Sequence, residues 1–463
     1  MEQAETSPHS EKHSQEKSES LTRRHFITGL ASAAAAGISC SHMKTVTVLP
    51  PHVAGRPGKL APSDRLNIAG VGVGGRGRAV LRHFSEEQQN LVALCDVDWK
   101  RGASTFKENP KAGHYRDFRV MLDKEEKNID AVMVATPDHM HAPVAIRAMK
   151  MGKHVYCEKP LTHCVAEARE MARVAEEMKV ATQMGNQGQA DESVRIVSEY
   201  IADGCIGKVT EVHNWCDRPR GGHPWPQAVE TPKETPPVPN ELSWDLWLGV
   251  APERPYNQAY APFRWRGWLD FGTGALGDIG CHSFHPIFKQ LDLGYPTSIE
   301  PFTTELLGDT WPLVSMIKYE FPARSKNYPA VTLTWYDGQL SPPRPPELEP
   351  ERQMGYNGTM FVGTEGTIFN GRIIPESKHK AYPQPSKTLP RSPGHQKEFI
   401  NYCKGGEPAG ANFAYAALVA ETVLLGNAAL LAERKLEWDA ENMKVINVPE
   451  ANKLISKTYR EGW

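Results

Sequence analysis

Apolar and polar positions alternate along this chain with two different periods, and their order sets the expected architecture. A short apolar run from Leu66 has the character of a buried strand, and a helical pattern opens at Ala79-Val80-Leu81. Leu91-Val92-Ala93-Leu94 forms a second apolar strand and residues 129–135 a third. Residues 142–150 follow as a short helix and 154–157 as a strand. Over 165–179 the apolar positions Val165, Ala168, Ala172 and Ala175 keep helical spacing, and 180–184 return to a strand. Strands alternating with helices predict a parallel, doubly wound sheet up to about residue 185.

Beyond that point the pattern changes. A helix is expected over 193–202 and an alternating strand over 208–215. The proline-rich stretches 219–239 and 342–350 predict irregular loops. Strand-like runs recur at 313–321, 331–336 and 359–362, with Gly363-Thr364-Glu365-Gly366 as a turn into 367–369. These widely spaced strands predict a second, α+β domain on a mostly antiparallel open sheet. The apolar helix 415–431, with Leu418, Thr422, Leu425 and Ala429 on one face, is expected in the core. The division that follows is an N-terminal segment at 1–40, a linker at 41–63, a parallel α/β domain at 64–185, a second domain at 186–440 and a tail at 441–463.

Chemistry enters where the first strand ends. Gly72, Gly74 and Gly77 fit G-x-G-x-x-G at a strand-to-helix turn, with Gly75 and Arg76 between them. The first glycine makes the turn, the second admits a pyrophosphate to the backbone, and the third lets helix and strand pack closely. Asp96 closes the second strand at the spacing of a ribose-binding acid. Glu158-Lys159-Pro160 follows the strand ending at Cys157, at the sheet edge where ligands bind in open parallel sheets. A lysine there can bond a substrate hydroxyl and, if desolvated, titrate low enough to move a proton. In Gly272-Thr-Gly-Ala-Leu-Gly-Asp278-Ile-Gly-Cys-His282, a helix starting at Asp278 sets His282 one turn on, where the carboxylate orients the imidazole. Pro286 predicts a kink or restart after it.

Composition narrows the class. The 463 residues carry a net charge of -2, so nothing points to nucleic acid or an anionic membrane surface. Eight cysteines lack C-x-x-C spacing, and Cys95 and Cys157 fall in apolar strands, where buried thiols are expected. Arg23-Arg24 before an alanine-rich apolar run resembles a Tat export signal, and the run is too short to span a bilayer. Cys40 loosely resembles a lipoprotein cleavage site, with Gly37 at its third preceding position rather than Leu. The expected location is the periplasm or cell envelope, with no transmembrane span in the mature protein and a lipid anchor at Cys40 as a lesser alternative.

Taken together, the glycine loop, Asp96, Glu158-Lys159-Pro160 and Asp278-x-x-x-His282 resemble the Gfo/Idh/MocA family of sugar and cyclitol oxidoreductases over about residues 64–440. Arg264-Trp265-Arg266-Gly267-Trp268 resembles an exported branch of it. The resemblance implies an NAD cofactor on Gly72, Gly74 and Gly77, with Asp96 on the adenosine ribose. It places Pro137 and His141 beside the dinucleotide, Glu158 near the nicotinamide ribose, and Asn186 and Gln187 along the same cleft. Lys159 and His282 would stand at the reacting carbon, with Asp278 beside them. Members often carry an acidic residue where this chain has His285. Asp96 favours NAD over NADP, since a carboxylate repels a 2′-phosphate.

The expected substrate is a small carbohydrate, with Trp215, Trp225, Trp244, Trp247, Trp265 and Trp268 crowding its cleft. The assembly is expected to be a homo-oligomer. Outside the cytoplasm the cofactor is expected to be tightly held, because little free NAD is available to recycle it. Three other classes compete: an NAD-dependent glycoside hydrolase working by transient oxidation and elimination, a zinc hydrolase built on Asp278, His282, His285 and His213, and a binding protein with a vestigial Rossmann domain.

Overall fold

The computed structural model describes residues 62–222, 224–325 and 328–463. The twin-arginine segment, Cys40 and the linker up to residue 61 lie outside the described residues.

Six strands make the first sheet: β1 (Asn67–Val71), β2 (Asn90–Cys95), β3 (Gly113–Tyr115), β4 (Ala131–Val134), β5 (His154–Glu158) and β6 (Thr182–Gly185). All pair in parallel, in the order β3-β2-β1-β4-β5-β6. Every residue of β4 is buried, as an unbroken apolar run requires when helices cover both faces. Between the strands run α1 (Arg76–Glu86), α2 (Trp99–Glu108), α3 (Phe118–Glu125), α4 (His141–Lys150) and α5 (Val165–Met178). Asp98 and Asp117 start α2 and α3 by accepting backbone N–H bonds from the first turn. The strand order reverses between β1 and β4, so a crevice opens beyond their carboxyl ends.

Nine strands make the second sheet: β7 (Val209–Trp215), β8 (Ser298–Thr303), β9 (Ser315–Phe321), β10 (Val331–Tyr336), β11 (Gly358–Gly363), β12 (Thr367–Phe369), β13 (Arg372–Ile374), β14 (Leu436–Asp439) and β15 (Lys444–Val445). Their order is β13-β12-β11-β7-β10-β9-β8-β14-β15, antiparallel except between β7 and β10. The predicted fold class, a Rossmann sheet followed by an α+β domain with a mostly antiparallel sheet, is the one observed.

Four longer helices accompany that sheet: α6 (Glu192–Ala202), α7 (Cys281–Leu291), α8 (His395–Cys403) and α9 (Phe413–Ala432). Helix α8 returns to the first domain, where Phe399 packs on Phe84 and Tyr156. Among the described residues α9 alone is long and apolar enough to cross a membrane, and most of it is buried inside the protein. Its carboxylate Glu421 is fully buried and is bonded by Arg169 of α5 (Nη2–Oε1 2.8 Å) and by the Trp438 indole (3.1 Å). Cys95 and Cys157 are buried free thiols, as expected of small apolar groups in strands.

Candidate active site

The glycine loop leaves no room for side chains. A Cβ on Gly72, whose φ is +77°, would stand 2.6 Å from the Ala135 carbonyl oxygen. One on Gly77 would stand 1.9 Å from the carbonyl oxygen of Gly72. Gly75 and Arg76 then open α1 with its N-terminus on a cleft of about 280 Å³, a placement suited to a pyrophosphate. Gly72, Gly74, Gly75, Arg76, Asp96 and Pro137 line this cleft, while Gly77 lies beneath its floor. Asp96 accepts the N–H groups of Gly74 (3.0 Å) and Asp98 (2.9 Å), and burial pushes its carboxyl up to about 6. The loop, the acid and the helix end therefore fit a dinucleotide.

Glu158 ends β5 and is joined by the Arg76 Nε (3.0 Å) and the Gln187 amide (3.1 Å), so the start of α1 and the turn after β6 meet at one carboxylate. The next peptide, Lys159–Pro160, is cis. The Lys159 ammonium turns toward the second domain, donating to the Asp278 carbonyl oxygen (2.9 Å) and pairing with its carboxylate (3.0 Å). Burial is the largest single effect and lowers the Lys159 pKa, but the raising effects together, the Asp278 charge first among them, outweigh it and hold the group protonated above its ordinary value. Asp278 also takes the Arg266 Nε at 3.1 Å. Against the cost of burial, these two cations keep its carboxyl well below the usual range.

Asp278 does not begin an α-helix. It lies in a π-turn, Leu276–Gly280, which widens the helix just before α7. Nor does it orient the imidazole. Asn186 does so, its side-chain oxygen 2.7 Å from His282 Nδ1 while its nitrogen donates to the Cys281 carbonyl (3.0 Å). The second bond fixes which way the carboxamide faces, so Nδ1 carries the proton and Nε2 presents its lone pair. Burial, then the Lys159 charge, brings His282 down to about 3, which makes it a neutral imidazole. Helix α7 continues through Pro286 without the expected break; the irregular turn lies upstream.

Other expected positions move. His141 is buried behind the cleft wall, its ring nitrogens on the Pro160 (2.7 Å) and Thr136 (2.9 Å) carbonyls, so it supports the Lys159–Pro160 turn instead of lining the dinucleotide side. Asn186, placed with the cofactor residues, serves His282, and Gln187 bonds Glu158 and the Tyr156 hydroxyl. Of the six tryptophans, Trp247 and Trp265 line the dinucleotide cleft and Trp215 a second cavity. Trp244 stacks on Trp247 outside it, while Trp225 and Trp268 are core. The zinc set does not converge: His213 meets Tyr336 and Glu211, and His285 packs on Tyr415. Sequence reasoning missed Arg266 and Asp138 as partners. The Asp138 carboxylate ties the loop after β4 to Thr273 Oγ1 (2.7 Å) across the domain boundary.

The family descriptions "Oxidoreductase family, NAD-binding Rossmann fold" and "Oxidoreductase family, C-terminal alpha/beta domain" match residues 66–186 and 193–313. Inositol 2-dehydrogenase of Rubrobacter xylanophilus is 31% identical over 156 residues, 33% of this chain and 44% of that protein. A glycosyl hydrolase family 109 protein of Shewanella pealeana is 28% identical over 205 residues, 41% of this chain and 44% of that one. The aligned stretch thus spans under half the length of the curated relatives it matches. The WlbA dehydrogenase from Bordetella pertussis, solved with NADH and UDP-GlcNAcA, superposes with a TM-score of 0.56 at 16% identity, covering 81% of this chain and 99% of that one. At that identity the likeness is one of fold. With both domain descriptions matched in order, the chain belongs to the Gfo/Idh/MocA family of oxidoreductases.

Proposed function

We propose that the protein is an NAD-dependent oxidoreductase acting on a hydroxyl of a sugar, cyclitol or glycoside. The observation that carries this reading is a cleft fitted to a dinucleotide whose lining residues Arg76 and Arg266 pair with Glu158 and with Asp278, the carboxylate that holds Lys159, while Asn186 at the domain boundary holds His282. Bound there, the nicotinamide would take the hydride from the substrate carbon or return it. Lys159 donates a hydrogen bond to the reacting oxygen and stabilises the negative charge that develops on it. His282 accepts the hydroxyl proton on Nε2. A protonated lysine cannot be that acceptor, which separates the two roles.

A second cavity of about 410 Å³ lies on the adjoining face of α7 and includes Ser283, the neighbour of His282. The side-chain oxygens of Asn214 and Gln290, buried without a partner, belong to residues lining it. Unpaired acceptors suit a ligand rich in O–H donors, which supports a carbohydrate. Asp96 supports NAD over NADP on charge grounds. The twin-arginine sequence supports export to the cell envelope with a tightly held cofactor, and we place the protein there as a homo-oligomer.

The test is mass spectrometry of the denatured protein for released NAD(H), followed by product analysis on a panel of sugars and glycosides. Oxidised or epimerised sugar with NAD(H) released supports the proposal; no dinucleotide and no turnover overturns it. The match to a glycosyl hydrolase family 109 protein favours one second reading, transient oxidation followed by elimination of an aglycone. Release of free sugar from an aryl glycoside without added NAD would establish that reading instead.

A further inference from the structure

Residues 455–463, part of the stretch 441–463 set apart in the sequence as a tail, run back across the first domain to the rim of the dinucleotide cleft. The Ala166 N–H donates to the Ile455 carbonyl (2.9 Å), and the Tyr459 hydroxyl donates to Glu167 Oε1 (2.8 Å). The Arg460 N–H and Nε donate to the Val250 (3.1 Å) and Gly249 (3.0 Å) carbonyls. These bonds fasten the segment both to α5 and to the loop at 249–250. They deliver Trp463 against Phe118, ring centroids 6.4 Å apart, with the Arg119 guanidinium 4.1 Å over the indole. Arg119 is itself held by Asp117 (Nη2–Oδ2 2.8 Å). Trp463 thereby joins Asp96, Arg116 and Phe118 in lining the cleft that holds the glycine loop.

Sheet order identifies the end of the cleft. Asp96 follows β2, and Phe118 follows β3, which lies outside β2; Glu158 ends β5 on the opposite flank. An acid at the end of the second strand takes the adenosine ribose. The wall beyond it, away from Lys159, faces the base.

We propose that Trp463 closes the adenine end of the dinucleotide site, giving the base an aromatic surface, and that residues 455–463 act as a strap that retains the cofactor. This inference rests on the oxidoreductase reading of the cleft. A lost base–aromatic contact weakens binding on the order of tenfold.

The test is calorimetric titration of the full chain, stripped of nucleotide, with NADH and with ADP-ribose, which keeps the adenosine, the pyrophosphate and the second ribose and lacks only the nicotinamide. Trp463→Ala is expected to weaken both ligands about tenfold, and Trp463→Phe to keep affinity within about threefold of the parent. Trp463→Leu keeps apolar bulk under Arg119, and its expected weakening matches that of alanine; it serves if the alanine variant melts early. Parent binding of both ligands that neither Trp463→Ala nor Trp463→Leu changes overturns the strap alone. A parent chain that binds neither ligand overturns the oxidoreductase reading and the strap together.

Discussion

The side-chain oxygen of Asn186 lies 2.7 Å from Nδ1 of His282, and the nitrogen of the same carboxamide is committed to the Cys281 carbonyl at 3.0 Å. A neutral acceptor on Nδ1 leaves Nε2 unprotonated without favouring the imidazolium. Burial then holds the ring at about 3.

Replacing that neutral acceptor by a charged one reverses the balance. Asn186→Asp sets a carboxylate on Nδ1 and raises the His282 pKa by about one to three units. Oxidation needs the neutral ring, so the acid limb of the kcat/KM profile moves to higher pH by that amount. Asn186→Ala loses orientation without adding charge, so kcat falls about tenfold or more while the limb stays where it is. A profile that Asn186→Asp leaves unmoved would remove His282 from the proton path.

Lys159 and Asp278 should not be equivalent when deleted. Both are largely buried, with side-chain exposures of 16% and 10%, and Arg266 shares the carboxylate. Asp278→Asn leaves two cations facing each other without a counterion, at a cost of roughly 3–5 kcal/mol. Lys159→Met leaves Asp278 still paired with Arg266 and costs less, while it removes the charge that stabilises the reacting oxygen. Urea unfolding therefore ranks Asp278→Asn below Lys159→Met in stability, and both variants lose turnover. Equal stabilities would mean that Arg266 does not share the site.

The division between what the sequence shows and what it hides follows the range of the interactions. Gly72, Gly77 and Asp96 are legible because their demands are local: a tight turn, a close backbone approach, an acid ending a strand. The alternation of 66–185 is legible because both faces of the first sheet are covered. The edge strand β3 is not, since Gly113-His114-Tyr115 carries no apolar run. The partners of the site residues are not legible either. Lys159 meets Asp278 across 119 positions and Asn186 meets His282 across 96, and no periodicity encodes such pairs. A π-turn adds one residue to a helical turn, so the i, i+4 reading of Asp278 and His282 failed in angle though not in neighbourhood. The course of 455–463 depends on single bonds to Glu167, Gly249 and Val250, and its polar sequence gave no sign of them.

Gly77→Ala and Gly152→Ala separate close approach from backbone strain. Gly152 has φ +76° and open space where a Cβ would go, so alanine there costs about 1–2 kcal/mol from conformation alone and leaves nucleotide binding unchanged. At Gly77 the added carbon would stand 1.9 Å from the Gly72 carbonyl oxygen, and the turn must open. The expected outcome is a loss of NADH affinity of more than about tenfold, because the amides that meet the pyrophosphate move with the turn. Matching binding in the two variants would show that the loop does not form the phosphate site.

Acid stability carries a further consequence of the buried histidines. Burial lowers His139 and His282 to about 3 and His141 and His395 to about 4, and pushes His163 and His285 well below their ordinary value. Below about pH 6.5 the unfolded chain protonates these rings and the native one does not, so stability falls as pH falls through this window. Four buried carboxyls oppose it: Asp96 is raised to about 6, Asp138 and Asp337 to about 7, and burial raises Glu421 above its ordinary value. They bind protons in the native state that the unfolded chain lacks above about pH 4, so they favour the fold as pH drops. Six histidines outweigh these four carboxyls, and unfolding free energy should decline from pH 6.5 to 5. Each net proton contributes about 1.4 kcal/mol per pH unit. His285 offers a clean check, since neither ring nitrogen has a hydrogen-bond partner. His285→Leu should lower the slope by about one proton, leaving the variant relatively more stable at pH 5 than at pH 7. A slope that His285→Leu leaves unchanged would mean that His285 is already protonated in the folded protein.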